Sequence, residues 1–225
     1  MGEEMASPME VAVAGGHGKI GRRLGRLLIA DGDRTRALIR KPEHAEDVRA
    51  DGSEPVVCDL EHAGVDEISR AIAGADAVVF AAGAGPGSGP ERKWSMDRDG
   101  AIKLLQAAQE AGVERYVMIS AIGADDPPDD DQVFSIYLRA KAQADQALQE
   151  SDRAWTIVRP GILNDDPGRG LVRISTAPFP TEVSRDDVAA ILHGVLREPG
   201  SVRRILYVGS GDEPIEQALA TQLGG

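Results

Sequence analysis

Val11-Ala-Val-Ala-Gly15-Gly16-His17-Gly18-Lys19-Ile20-Gly21 decides the fold, because a short apolar strand runs there into closely spaced glycines and then into an amphipathic helix. Two glycine registers are satisfied together, Gly16-x-Gly18-x-x-Gly21 and Gly15-x-x-Gly18-x-x-Gly21. Both make the same demands: a tight turn out of the strand, a position without a side chain where backbone approaches a pyrophosphate, and close helix-to-strand contact. Val11 to Ala14 has strand character, and Ile20, Leu24, Leu27 and Leu28 recur behind it at helical spacing. The first N–H groups of a helix starting near Lys19 have no partner within the helix and point at whatever anion lies before it. Gly15, Gly16, His17, Gly18, Lys19, Ile20 and Gly21 therefore read as a dinucleotide-phosphate cradle.

Working outward, apolar segments of strand length alternate with segments of helical period, the pattern of βαβ units and a parallel sheet. Strands are expected near 10–14, 35–39, 55–58, 77–82, 115–120, 154–158 and 204–208, and helices near 19–30, 65–73, 95–111, 133–150, 186–197 and 214–220. Ser184 with Asp187 three residues on reads as a helix N-cap, and Gly112 as a helix-stopping glycine. No internal repeat or linker is evident, so the expectation is one α/β domain over residues 1–225, a Rossmann-like doubly wound parallel sheet. Residues 1–8 are expected as a disordered tail, and residues 162–185 as a small substrate-side region without long periodic segments.

The chain has 25 basic and 37 acidic residues among 225, a net charge of -12. That balance argues against non-specific binding to nucleic acid or an anionic membrane, and any anionic ligand needs a local basic patch. The one cysteine, Cys58, has no internal disulfide partner. The first residues lack the basic and apolar regions of a signal peptide, and no apolar run approaches the ~20 residues that span a bilayer. A cytoplasmic location is expected, with a small-molecule substrate as partner; a homodimer is compatible with the sequence.

The end of the second strand distinguishes the nicotinamide cofactors, because the adenosine ribose lies there. In Arg36-Ala-Leu-Ile-Arg40-Lys41-Pro42 that place carries Arg40 and Lys41 and no acid. A carboxylate would accept from the 2′-OH of NAD, whereas a guanidinium binds a 2′-phosphate, so NADP is favoured over NAD. Asp59 and Leu60, just past the third strand, are placed for the adenine, although an Asp at a strand end is as often a turn residue. Ala81, Ala82 and Gly83 end the fourth strand with small residues that let backbone lie under the second ribose. The glycine-rich stretch from Gly83 to Pro90 is either a loop that closes over ligand or a surface connection without a role.

Tyr137-Leu-Arg-Ala-Lys141 lies in helical pattern, so the phenol and the ammonium share a face. A neighbouring ammonium favours phenolate and would bring the Tyr closer to useful proton-transfer range. Ser120 closes the fifth strand at the crevice edge, where its hydroxyl could hold a substrate oxygen. Strand-end Ser followed by helix-borne Tyr and Lys suits proton transfer coupled to hydride transfer.

The glycine turn, the basic end of the second strand, Ser120, Tyr137 with Lys141, and Trp155-Thr-Ile-Val-Arg159-Pro160-Gly161 together resemble the short-chain dehydrogenase/reductase superfamily. More narrowly they resemble its atypical branch of small NAD(P)H-binding proteins, the NmrA-like and biliverdin-reductase-B-like group. The resemblance covers residues 10 to 215 and implies NADP(H) binding, with Ser120, Tyr137 and Lys141 as the catalytic relay. It further implies that Ser120 and Lys141 touch the cofactor, Lys141 at the nicotinamide ribose, and that Pro160 and Gly161 lie near the nicotinamide. Tyr137 follows Ser120 by 17 residues, longer than the superfamily's usual spacing. The function expected is an NADP(H)-dependent oxidoreductase of small carbonyl or hydroxyl compounds. A non-catalytic NADP(H) redox sensor and an NAD(P)-dependent sugar epimerase or dehydratase are the alternatives.

The loop from Asp125 to Asp131 carries five carboxylates and borders the expected crevice. Two adjacent prolines spoil the stagger a calcium site needs, so it reads as a solvated acidic loop that disfavours anionic substrates. His44, His62 and His193 have no metal-ligand spacing, and no metal site is expected.

Overall fold

The computed structural model describes residues 7–85 and 87–224. The first six residues of the tail read from the sequence, and Pro86 of the glycine-rich loop, lie outside the described residues.

In chain order the strands are β1 (Glu10–Ala14), β2 (Arg34–Ile39), β3 (Glu54–Val57), β4 (Ala77–Phe80), β5 (Arg115–Ile119), β6 (Ala154–Pro160), β7 (Ile162–Asn164), β8 (Leu171–Ser175), β9 (Glu182–Ser184), β10 (Arg204–Ser210) and β11 (Glu213–Pro214). The helices are α1 (Lys19–Ala30), α2 (Ala45–Ala50), α3 (Val65–Ile72), α4 (Pro90–Arg92), α5 (Ala101–Glu110), α6 (Val133–Gln149), α7 (Arg185–Arg197) and α8 (Ile215–Leu223), with a π-helical run Lys93–Gly100 joining α4 to α5. A nine-stranded sheet has the order β11-β8-β10-β6-β5-β4-β1-β2-β3. From β10 to β3 the neighbours are parallel; β8 and β11 add an antiparallel edge.

Alternation along each central strand sends side chains to two separate cores. Ala12, Phe80, Tyr116, Met118 and Ile157 face one core with Ile68, Leu104 and Leu148 of α3, α5 and α6. Val11, Val79, Val117, Val158 and Leu206 face the other with Leu24, Ile191 and Leu192 of α1 and α7. Both faces are covered, so the central strands read as apolar runs rather than alternating ones. This is the Rossmann-like doubly wound sheet read from the sequence.

The direction of winding reverses between β1 and β4, which places the ligand crevice beyond their carboxyl ends. Gly15 lies at that point with φ +79°, and a Cβ there would meet the Ala82 backbone at 2.7 Å. A Cβ on Gly16 would meet Ala37 of β2 at 2.4 Å, and one on Gly21 would meet the Gly15 carbonyl oxygen at 2.4 Å. The three glycines thus serve the turn, the strand contact and the helix contact.

The Ser184 cap forms, its hydroxyl accepting from the Asp187 N–H at 3.0 Å, and Gly112 follows α5 at φ +71°. Three differences from the sequence reading stand out. The region expected to lack regular elements supplies β8, whose Val172 and Ile174 are buried while Arg173 is exposed; this short alternation seats it antiparallel on β10. Ile162 to Asn164 and Glu182 to Ser184 pair as a separate two-stranded sheet. The helix expected from residue 95 begins at Pro90 and passes through the π-helical run. Among the described residues no helix is long and apolar enough to cross a membrane, and no group of three or more His, Cys, Asp or Glu is placed to hold a metal ion.

Replacing Gly15 by Ala should destabilise the protein by about 2–4 kcal/mol, because left-handed strain adds to backbone overlap. A thermal scan should show a fall of roughly 5–10 °C. A midpoint within a degree or so of wild type would contradict the close approach to Ala82.

Candidate active site

Two adjoining clefts open at the carboxyl edge of the sheet, sharing Ile20 and the strand end Ala81 to Gly85 as a common floor. The first has a volume of about 770 Å³ and the second about 500 Å³.

The second cleft holds most of the sequence-predicted cradle. Gly15, His17, Gly18 and Lys19 line one side, and Arg40, Asp59 and Leu60 the other. Gly16 and Gly21 lie behind them, packed on β2 and the turn. Gly18 is the N-cap of α1, with no side-chain cap and no acid in the first turn. A helix terminus that opens into a cleft with its N–H groups unanswered by side chains is an anion site. With glycines at every close approach, the residues present fit a bound dinucleotide pyrophosphate.

Arg40 reaches the cleft from the end of β2, its side chain 42% exposed and its guanidinium 3.8 Å from Glu61. Glu61 is held more closely by Arg92, also a lining residue, at 2.7 Å. Arg40 thus retains most of its hydrogen-bonding capacity. Asp59 lines the cleft and is also a turn residue: its carboxylate accepts from the Glu61 N–H at 3.0 Å and meets His62 at 3.0 Å. Lys41 is exposed, 3.4 Å from Glu43, and is not a lining residue of either cleft. His17 and His44 stack with ring centroids 3.8 Å apart and interplanar angle 9°, both lining the second cleft. Burial and the charge of His17 hold His44 below its ordinary range. Cys58 lines the cleft floor, and burial pushes its thiol up to about 11, so it stays protonated at neutral pH.

The first cleft holds Tyr137 and Lys141, one turn apart on α6. The Lys141 ammonium lies 5.9 Å from the Tyr137 ring centre. It donates to the Ile119 carbonyl at 3.0 Å and lies 3.6 Å from the Asp97 carboxylate, both side chains being almost fully buried. Burial, then the negative charges of Asp97 and Asp145, push the Tyr137 phenol up. That is the opposite of the expected lowering by Lys141, because Asp97 and a carbonyl oxygen already answer the ammonium. The phenol is therefore held in its protonated form.

Asp97 and Lys93 are the charged lining residues of this cleft that sequence reasoning missed, beside the apolar Val133, Phe134 and Leu163. Both come from the π-helical run, one wide turn apart, and π-helical segments are frequent at functional sites. The carboxylate of Asp97 accepts from the Ala84 N–H at 3.3 Å, and Lys93 donates to the Gly85 carbonyl at 3.0 Å. The two anchor the glycine-rich stretch to the site.

Ser120 is turned away from both clefts. It is 2% exposed and donates to the Asp145 carboxylate at 2.8 Å. The same oxygen accepts from the Arg159 guanidinium at 3.0 and 2.9 Å, and Arg159 donates onward to the Tyr207 hydroxyl at 2.6 Å. Burial pushes the Asp145 carboxyl up against the pull of Arg159. This buried group ties β5, α6, β6 and β10 together beneath the site. Pro160 and Gly161 end β6, where the Gly161 N–H donates to the Val208 carbonyl at 3.0 Å. A Cβ on Gly161 would meet the Thr181 carbonyl oxygen at 2.3 Å, so close packing requires that glycine. Neither residue lines either cleft.

A doubly wound sheet with an uncapped glycine turn at its switch point defines a dinucleotide-binding protein of Rossmann type. Residues 15–199 match the NAD(P)H-binding family. The chain is 37% identical over 212 residues to the Bacillus subtilis (strain 168) protein named uncharacterized sugar epimerase YhfK, covering 94% of this chain and 99% of that one. It is 33% identical over 170 residues to a Stigmatella aurantiaca 4-hydroxy-2-methyl-3-oxo-4-farnesyl-3,4-dihydroquinoline-1-oxide ketoreductase, covering 69% of this chain and 50% of the relative. A Bacillus halodurans structure named for an NAD-dependent epimerase/dehydratase superposes with a TM-score of 0.89 at 34% identity, over 95% of this chain and 99% of that one. The chain belongs to the NAD(P)H-binding family.

Asp145→Ala should destabilise the fold by about 3–5 kcal/mol, since it strands a buried guanidinium. Ser120→Ala should cost about 1 kcal/mol, the net worth of one hydrogen bond. Chemical denaturation of both variants measures the difference, and equal losses would contradict Asp145 as the centre of the buried group.

Proposed function

We propose that the protein is an NADP(H)-dependent oxidoreductase that interconverts a carbonyl and an alcohol. The observation that carries the reading is the placement of Tyr137 and Lys141 in a cleft whose floor, Ala81 to Gly85, is shared with the dinucleotide cradle. NADPH, when bound, supplies the hydride that reduces the carbonyl carbon and leaves as NADP.

The residues of the chain supply binding, orientation and the proton. The α1 N-terminus and Gly15 to Gly21 hold the pyrophosphate, and Arg40 meets the 2′-phosphate from the end of β2. The carboxylates nearest that place have partners of their own, Asp59 in its turn and Glu61 on Arg92. Tyr137 donates its Oη proton to the carbonyl oxygen as the oxygen gains negative charge. Its elevated range keeps that proton in place at neutral pH, and the alkoxide formed is the stronger base. Lys141 lies 5.9 Å from the Tyr137 ring centre, on the same face of α6 as the phenol. The hold of Ile119 and Asp97 on the ammonium fixes its position. Ser120 has no direct part in this account, because its hydroxyl is committed to Asp145.

Tyr137→Phe should lower kcat for a reduced carbonyl compound by about 100-fold or more, the usual worth of a placed proton donor. The Kd for NADPH should stay within twofold of wild type. Steady-state kinetics with isothermal titration of the cofactor measures both, and wild-type turnover in Tyr137→Phe would overturn the assignment.

A further inference from the structure

We propose that the cleft beside Tyr137 takes an uncharged carbonyl compound with an extended apolar body, and that it rejects nucleotide sugars and carboxylates. The inference rests on the oxidoreductase reading only for the carbonyl; the apolar and uncharged character follows from the walls.

Apart from Lys93, Asp97, Lys141 and Ser88, the walls are largely apolar, and their large apolar side chains come from four elements. Ile20 of α1, Ile119 of β5, Val133 and Phe134 of α6 and Leu163 of β7 surround the space in front of Tyr137. Phe134 is 64% exposed and tilts against the Tyr137 ring, centroids 5.9 Å apart. Large side chains left in water around a concave site gain by being covered, at about 25 cal/mol per Å² of apolar surface. An aromatic or alkyl body passing Phe134 on its way to Tyr137 covers them.

The positive groups near the cleft each have a hydrogen-bond partner. Lys93 donates to the Gly85 carbonyl, and Lys141 to the Ile119 carbonyl beside Asp97. Arg139 of α6 donates to the Pro128 carbonyl at 2.6 Å. Asp130, in the loop ahead of α6, accepts from the Gln132 N–H at 2.9 Å. The α1 N-terminus is taken by the dinucleotide in the reading above. Asp125, Asp126, Asp129 and Asp131 of the loop preceding α6 are exposed, with Asp125 3.4 Å from Arg159 and Asp129 3.8 Å from Arg139. A diphosphate or carboxylate entering here would give up its hydration in a largely apolar space.

The test uses the protein loaded with NADPH and three probes: a long-chain methyl ketone, the keto acid of equal length bearing a terminal carboxylate, and UDP-glucose. Isothermal titration should show the ketone binding at least tenfold tighter than the keto acid, with no binding of UDP-glucose. Phe134→Asp should weaken the ketone at least tenfold and leave the NADPH Kd unchanged. Absence of ketone binding, equal or tighter binding of either charged probe, or an unchanged ketone Kd in Phe134→Asp overturns the proposal. A ketone that binds as stated without consumption of NADPH supports the apolar cleft and overturns the oxidoreductase reading, so the two fail separately.

Discussion

The site depends on one close approach: Gly15, in left-handed conformation at the end of β1, lies against the backbone of Ala82 at the end of β4. No side chain fits between them, so the turn that starts α1 and the strand end that floors both clefts form a single rigid corner. Gly16 and Gly21 extend the same constraint to β2 and to the first turn of α1. Because this corner coincides with the reversal of sheet winding, the unanswered N–H groups of α1 open into the crevice rather than against a neighbouring strand.

Two buried carboxylates hold the other half of the site. Asp145 gathers Ser120, Arg159 and, through Arg159, Tyr207, locking α6 to the sheet beneath it. Asp97 reaches from the π-helical run to Lys141 and to the Ala84 N–H. Breaking either would leave a charge without its partner in a region that water does not fill, which costs far more than a surface ion pair. Such groups fix side-chain position more than they add stability, and here the position fixed is that of Lys141.

The glycine turn was legible in the sequence because its signal is local: strand, turn and helix start lie within eleven residues, although the contacts of Gly15 and Gly16 with Ala82 and Ala37 come only with the fold. Tyr137 and Lys141 were legible for the same reason, as a helical pair. The direction of Ser120 was not, because its hydroxyl is claimed by Asp145, 25 residues away. Lys93 and Asp97 escaped notice because a π-helix changes which residues share a face, and ordinary helical spacing treats that run as packing. The rise in Tyr137 likewise depends on burial and then on Asp97, both of which only the fold supplies. The alternation of Val172 and Ile174 was present in the sequence, but five residues between glycine- and proline-rich stretches gave too short a period to assign β8.

The central claim is that the glycine corner binds a 2′-phosphorylated dinucleotide with Arg40 as the discriminating group. Thermal unfolding with NAD, NADH, NADP and NADPH in turn tests it most directly, since a ligand at one hundred times its Kd adds about 2.7 kcal/mol to stability. The account predicts a larger upward shift with NADP and NADPH than with NAD and NADH, and loss of that difference in Arg40→Ala. A larger shift with NAD, or an undiminished NADP preference in Arg40→Ala, would contradict it.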